Sequence, residues 1–290
     1  MRRLEPAARA LVLILAVSLS AGFISSGCGG KSSGESGYSG TVNASGSTTV
    51  LPLALEAATE FMDANPRANV QVQGGGSSVG IAQLKQRIVQ IALSSRELQP
   101  GENDGTFVDF RIAFDIIVII VHPSVPINNL SYDAVKGIFT GKITNWKALG
   151  GPDRKIVVVV RDQASGTREV FDEKALGSTK EEPVESVDSA IELNSNGVVR
   201  ETIAATRYSI GYLSYGYVDE RVRPVSINGV APTVENSSSG RYPIARYLHM
   251  FTRGQPSGAA KGYIDFVLSD QFQNGPVRRE YIPVKKVQKR

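Results

Sequence analysis

The chain has 290 residues, 41% hydrophobic and 21% charged, with a net charge of +4, one cysteine and two histidines. This length is enough for more than one core. A single cysteine excludes a disulfide within the chain, and the near-neutral balance lacks the basic footprint of a nucleic-acid-binding protein.

Arg2, Arg3 and Arg9 precede an apolar run over 10–24, followed by Ser25, Ser26, Gly27 and Cys28. That order reads as an export signal, and the run is shorter than the ~20 residues a spanning helix needs, so residues 1–27 are expected to be removed. Ser26-Gly27-Cys28 resembles a bacterial lipoprotein processing site, which implies lipidation of Cys28 and a membrane anchor. The Gly/Ser-rich stretch 28–40 then reads as a flexible tether. Residues 1–27 carry three arginines and one glutamate, so their removal lowers the net charge to +2. The basic tail Lys285, Lys286, Lys289 and Arg290 reads as a solvated end.

From Thr41 short apolar runs alternate with amphipathic segments, the pattern of an α/β fold with parallel strands. Val42 starts a strand; Leu51, Leu55, Ala58 and Met62 mark a helix that ends at Asn65-Pro66; Val70 and Val72 lie on the next strand. Ile81, Leu84 and Ile88 mark a second helix before the short strand 91–93. The six apolar residues 116–121 predict a strand covered on both faces, as do 156–160. Ser131 is placed to cap a helix carrying Val135, Ile138 and Phe139, and Phe171 and Ala175 belong to another. Segment 210–218, with Tyr212, Tyr215 and Tyr217, has strand composition and is a candidate crossing between lobes. Ala260, Tyr263, Ile264, Val267 and Leu268 give the spacing of a helix with one buried face.

Four loops collect small and hydroxylated residues, each after a predicted strand: 46–49 (Gly-Ser-Thr-Thr), 74–78 (Gly-Gly-Gly-Ser-Ser), 94–96 (Ser-Ser-Arg) and 161–167 (Arg-Asp-Gln-Ala-Ser-Gly-Thr). A helix start offers unpaired N–H groups and the positive end of the peptide dipoles, and glycine lets the backbone approach a bound oxygen. Singly, each loop also reads as a cap or a turn. Together, at the carboxyl ends of strands in one sheet, they predict an oxyanion site.

These loops, with 139–146 (Phe-Thr-Gly-Lys-Ile-Thr-Asn-Trp), 165–168 (Ser-Gly-Thr-Arg), 194–197 (Asn-Ser-Asn-Gly), 210–212 (Ile-Gly-Tyr) and 281–283 (Tyr-Ile-Pro), resemble the periplasmic phosphate-binding proteins of phosphate ABC importers. The matches keep their order over 41–284. The resemblance implies a two-lobed periplasmic-binding-protein fold of the type II kind, with two chain crossings and a cleft that closes over phosphate. Lobe 1 is expected to combine 41–115 with 220–290, and lobe 2 to be 116–219, with crossings near 112–115 and 215–221. It also implies a monomer without cofactor or metal that hands inorganic phosphate to a membrane permease. Carried over by position, Thr48, Thr49, Ser77 and Ser95 donate from one lobe, and Arg161, Ser165, Gly166 and Thr167 from the other. A desolvated phosphate needs many donors, and one rigid guanidinium fork fits its geometry.

Related proteins place carboxylates among these loops, where an acid accepts the phosphate proton and repels sulfate. Here Ser95 and Gln163 stand at those positions. Asp162, or the Gln163 carbonyl, is the candidate proton acceptor; equally, Asp162 can cap the following helix. A hydrolase with Ser165 as nucleophile needs a base, and His122 and His249 both sit in strand-like surroundings that favour a structural role. Trp146 reads as packing rather than as a ligand platform. A carrier or sensor for another tetrahedral oxyanion remains the alternative function.

Overall fold

Alternating apolar runs and amphipathic segments do become strands and helices in the computed structural model, which describes residues 37–284. The expected signal peptide, Cys28, most of the tether and the basic tail lie outside the described residues. The first half comprises β1 (Ser39–Gly46), α1 (Leu51–Ala64), β2 (Arg67–Gln73), α2 (Ser77–Lys85), β3 (Ile91–Ser94), β4 (Phe107–Val121), β5 (Asn129–Leu130) and α3 (Tyr132–Phe139). There follow β6 (Val157–Arg161), α4 (Gly166–Leu176), β7 (Ile191–Leu193), α5 (Asn196–Ala205), β8 (Ser209–Ser214), β9 (Arg223–Pro224), β10 (Ser226–Ile227), α6 (Val234–Ser238), β11 (Ala245–Arg253) and α7 (Gly258–Val267). Ser39 and Gly40, expected in the tether, pair instead with Arg67 and Ala68 across β1 and β2.

The main sheet runs β2-β1-β3-β11-β4-β8-β6-β7, with β9 also on β4. At one end β1 lies parallel to β2 and β3; at the other β6 lies parallel to β7 and β8. The central strands β11 and β4 are antiparallel to each other, and β4 also runs antiparallel to β8. β4 has 15 residues, of which the apolar run 116–121 is only the second half. Its first half pairs with β11 and its second with β8, so one strand serves both ends of a curled sheet.

Two apolar clusters meet along β4. One gathers Val42, Ala57, Phe61, Ile91, Ile112, Ala113, Leu248 and Tyr263; the other Ile116 to Val121, Phe139, Trp146, Phe171, Ile203, Tyr212 and Ile244. Val222, Val225, Ile227 and Tyr242 pack in this second cluster, although they follow the crossing expected near 215–221. The reason is pairing: β9 joins β4, β10 joins β5, and the Tyr242 hydroxyl donates to the Ile117 carbonyl at 3.0 Å. The chain returns to the first cluster along β11, and Ile282 then packs again in the second.

Local signals work where burial is one-sided. Ser131 Oγ accepts from the Ala134 N–H at 3.1 Å, the cap its position predicts. Trp146 is fully buried with Nε1 donating to the Tyr208 carbonyl. The face of α1 is displaced from the expected one: Leu53, Ala54, Ala57, Ala58 and Phe61 are buried, and Leu55 is 45% exposed. Ile88 lies beyond the end of α2 and is 56% exposed.

Gly80 brings α2 against β1, because a Cβ there would sit 2.4 Å from the Ser45 carbonyl oxygen. Backbone cannot move aside as a flexible side chain does, so Gly80→Ala is expected to cost about 1–3 kcal/mol of folding stability. Urea denaturation measures this, and an unchanged midpoint would contradict the close approach.

Asp172 of α4 lies 3.3 Å from Arg168 Nε at a side-chain exposure of 17%. Burial pushes its carboxyl from 3.8 to about 6, against the pull of Arg168. Because the folded value is raised, the native state holds a proton that the unfolded chain has released between those two values. Stability from this group therefore falls as pH rises from about 4 through about 6, by roughly 1–3 kcal/mol. Asp172→Asn is expected to remove that slope; denaturation curves of both proteins at the two ends of the window test it, and parallel curves would refute it.

Candidate functional site

The carboxyl ends of β1, β2, β6 and β7 each lead into a helix start, at α1, α2, α4 and α5. Ser165 Oγ caps α4 by accepting from the Arg168 N–H at 3.2 Å, and Ser195 Oγ caps α5 through the Val198 N–H at 3.2 Å. By position, the Gly166 and Thr167 amides are first-turn donors with no acceptor inside the helix. Glycines let the two ends of the sheet meet here. Gly76 has φ of 96°, and a Cβ would fall 2.6 Å from the Ala164 carbonyl oxygen; at Gly166 it would fall 2.5 Å from Ser77 Oγ. The Ser78 N–H donates to the Ala164 carbonyl at 3.2 Å.

Thr48, Thr49, Ser77, Ser95, Arg161, Ser165, Gly166 and Thr167 are all buried, and the chain brings them together. Thr49 Oγ1 and Thr167 Oγ1 lie 3.1 Å apart. The Ser95 N–H donates to Ser77 Oγ at 3.1 Å, and the two hydroxyls are 3.3 Å apart. Arg161 Nε donates to the Leu193 carbonyl at 3.2 Å and Nη2 to the Asn194 carbonyl at 3.0 Å. Its Nη1 is buried without a hydrogen-bond partner. Burial disfavours the Arg161 charge, with Asp162 partly offsetting this. An unpaired buried cationic donor is costly unless an acceptor arrives.

Sequence reasoning missed Asp115, Asn196, Arg246, Tyr217 and Tyr281 as members of this cluster. Arg246 donates from Nε and Nη2 to Asp115 Oδ2 at 3.2 and 2.9 Å, and from Nη2 to Thr49 Oγ1 and Thr167 Oγ1 at 3.1 and 2.9 Å. Asn196 Nδ2 donates to Thr49 Oγ1 at 2.9 Å and to Thr48 Oγ1 at 3.4 Å. The Tyr217 and Tyr281 hydroxyls donate to the Thr48 and Thr49 carbonyls at 2.7 and 2.8 Å. Burial holds both phenols protonated, with Tyr217 pushed up to about 12. The available signals were an acid ending the first half of a long strand, an arginine in an apolar run, and an asparagine already within the resembling segment 194–197.

Asp162 is half-buried, and its Oδ1 is buried without a hydrogen-bond partner. Burial raises its pKa, with Arg161 pulling it back. Gln163 is exposed in an outer groove beside Arg96 and Glu169. Arg96 reaches across from the loop after β3 to Glu169 of α4 at 2.7 Å and also holds Glu102 at 2.7 Å and Ser78 Oγ at 3.0 Å.

Neither histidine serves Ser165, whose Oγ is engaged as the α4 cap. His122 Nδ1 accepts from the Ser124 N–H at 2.9 Å, and His249 Nδ1 lies 2.8 Å from Asp109 with its ring stacked on Phe251. Glu97, Asp109 and His249 present three possible metal-ligand atoms within 4.8 Å. Arg111 stands 3.3 Å from Glu97 and 3.9 Å from Asp109, so a cation already serves both carboxylates.

The chain matches the PBP superfamily domain over residues 31–271. It is 39% identical to phosphate-binding protein PstS of Bacillus subtilis (strain 168), over 95% of this chain and 91% of that protein. With PstS of Borreliella burgdorferi the identity is 32%, over 84% and 90%. A substrate-binding protein with bound phosphate from Clostridium perfringens superimposes with a TM-score of 0.79 at 33% identity, over 84% of this chain and 100% of that one. The sheet shared by two clusters, the donors gathered between its ends and these likenesses agree: the chain belongs to the PstS family of phosphate-binding proteins, within the two-lobed periplasmic-binding-protein fold.

Proposed function

We propose that the chain captures inorganic phosphate between its lobes outside the cytoplasmic membrane and delivers it to the permease of an ABC importer, carrying out no reaction itself. The observation that carries this reading is the buried donor set, in which Arg161 Nη1 lacks a partner among hydroxyls from both ends of the sheet. Thr48, Thr49, Ser77 and Ser95 supply hydroxyls from one lobe. Arg161, Ser165, Gly166 and Thr167 supply the guanidinium fork, hydroxyls and first-turn amides from the other. An oxyanion satisfies all of these at once, because each of its oxygens accepts several hydrogen bonds. Asp162 is the nearest acid in sequence to Arg161 and is the proposed acceptor of the phosphate proton. The two apolar clusters support one lobe built mostly from 116–244, with Ile282 packed into it, and a second built from the flanking segments.

The N-terminal sequence supplies a tether that would keep the body beside a membrane permease. Lipid on Cys28, after removal of residues 1–27, anchors the body as a monomer through the stretch that follows. No helix among the described residues is long and apolar enough to cross a membrane.

Calorimetry and thermal shift with phosphate, sulfate, arsenate, molybdate and phosphate esters test the ligand. Saturable binding of one phosphate per chain is expected, with Arg161→Met weakening it by about 100-fold. Silence across the panel, or ester hydrolysis that Ser165→Ala abolishes, would defeat the reading. Mass spectrometry of the protein from a bacterial membrane fraction tests the anchor: an N-terminal lipidated Cys28 is expected, and Cys28→Ala should move the protein to the soluble fraction. A wild-type product that retains residues 1–27 would overturn it.

A further inference from the structure

We propose that Arg246 is a second guanidinium donor to the bound oxyanion, held in place by Asp115, and that Arg246 and Asn196 together fix the hydroxyl protons of Thr49 and Thr167 as donors. The inference rests on the phosphate reading above.

Guanidinium geometry supplies the first step. Arg246 meets Asp115 through its Nε and Nη2 edge. The remaining hydrogen of Nη2 faces Thr49 and Thr167, so the end of the fork, shared by Nη1 and Nη2, is turned toward the hydroxyls that close the cleft. Nη1 on that end is buried and has no partner. Asp115 cannot serve it, because its Oδ2 takes the Nε edge and its Oδ1 accepts from Ser214 Oγ at 2.7 Å. An arginine 5% exposed with one unpaired nitrogen beside two ligand hydroxyls is built to receive an acceptor.

Proton counting supplies the second step. The Ser214 N–H donates to Asn196 Oδ1 at 3.3 Å, which places Nδ2 on the threonine side. Thr49 Oγ1 accepts from Asn196 Nδ2 and from Arg246 Nη2, so both of its lone pairs are taken. Its own proton must leave, either to Thr167 Oγ1 or to the ligand. Thr167 Oγ1 accepts from Arg246 Nη2 and has no free lone pair on Thr49 to receive its proton. That proton therefore points into the cleft. Arg246 and the Asn196 amide thus orient two neutral hydroxyls, one from each end of the sheet, and the ligand meets donors already turned toward it.

Phosphate titration calorimetry on the full chain tests this with wild type, Arg246→Lys, Arg246→Gln, Thr167→Val and the Arg246→Lys/Thr167→Val double variant. Arg246→Lys keeps a cation for Asp115, but an ammonium cannot span the carboxylate, both threonines and the ligand. It is expected to weaken phosphate binding by about 10- to 100-fold, and Arg246→Gln by at least as much. Because Arg246 orients Thr167, the double variant should lose at least about threefold less affinity than the product of the two single losses. Phosphate affinity of Arg246→Lys within about twofold of wild type, or losses that simply multiply, would overturn the inference. Should Arg246→Gln not fold, Arg246→Lys and the double variant decide. Wild type that binds no phosphate sinks the underlying reading, whereas wild-type binding with an unimpaired Arg246→Lys sinks the inference alone.

Discussion

Asp115 and Arg246 face each other across the β4–β11 ladder, and both are buried. They sit where the apolar packing passes from one cluster to the other, since Ala113 belongs to the first and Ile116 to the second. A buried charge is tolerable only with a partner and satisfied hydrogen bonds. Burial alone pushes Asp115 above the ordinary carboxylate range, and Arg246, Ser214 and the Ile116 N–H pull it back. The pair therefore has to form wherever these strands are in register, which ties the register of the central strands to the position of the cleft. From that fixed point Arg246 reaches Thr49 and Thr167, one on each side.

The rest of the site follows from close approach. Parallel strands at both ends of the sheet send their helices off from the same edge, where ligands meet helix starts. Gly76 and Gly166 remove the side chains that would hold those starts apart. Tyr217 and Tyr281 fasten the Thr48 and Thr49 carbonyls. The backbone of the first loop is thereby fixed while its hydroxyls stay turned inward. Each device spends hydrogen-bonding capacity away from the cleft, and what remains unspent is the Nη1 of each arginine.

Much of this was legible in the sequence because it rests on local rules. The four loops declare themselves by glycines and hydroxyls after apolar runs, and the eight residues carried over by position do gather. The helix caps at Ser131 and Ser165 follow from side chains that can reach their own backbone. What stayed hidden depends on tertiary pairing. In β11, Arg246 looks like a surface charge beside an apolar run, and nothing local says that Asp115, far off in sequence, waits opposite. The first half of β4 mixes Asp109 and Arg111 with apolar residues, so its continuity with 116–121 appears only when β11 covers it. The tract 222–244 carries no signal of which core it joins, because short strands such as β9 and β10 take their place from their partners.

An acid at Ser95 or Gln163 would have read the proton on phosphate directly. In its absence the charge of the cleft is set by Arg161 and Arg246 against the carboxylates of Asp115 and Asp162, with burial, and less strongly Arg246, disfavouring the Arg161 charge and Asp162 supporting it. Each of these arginines keeps its Nη1 without a partner, and an anion between them satisfies both donors. An oxyanion that meets both donors is therefore held better than one that meets either alone. At the rim the Arg96 bridge to Glu169 also joins the two ends of the sheet. Its partners carry opposite charges and need no ligand. The rim contact is thus satisfied without a ligand, while the interior donors are satisfied only when an oxyanion is present.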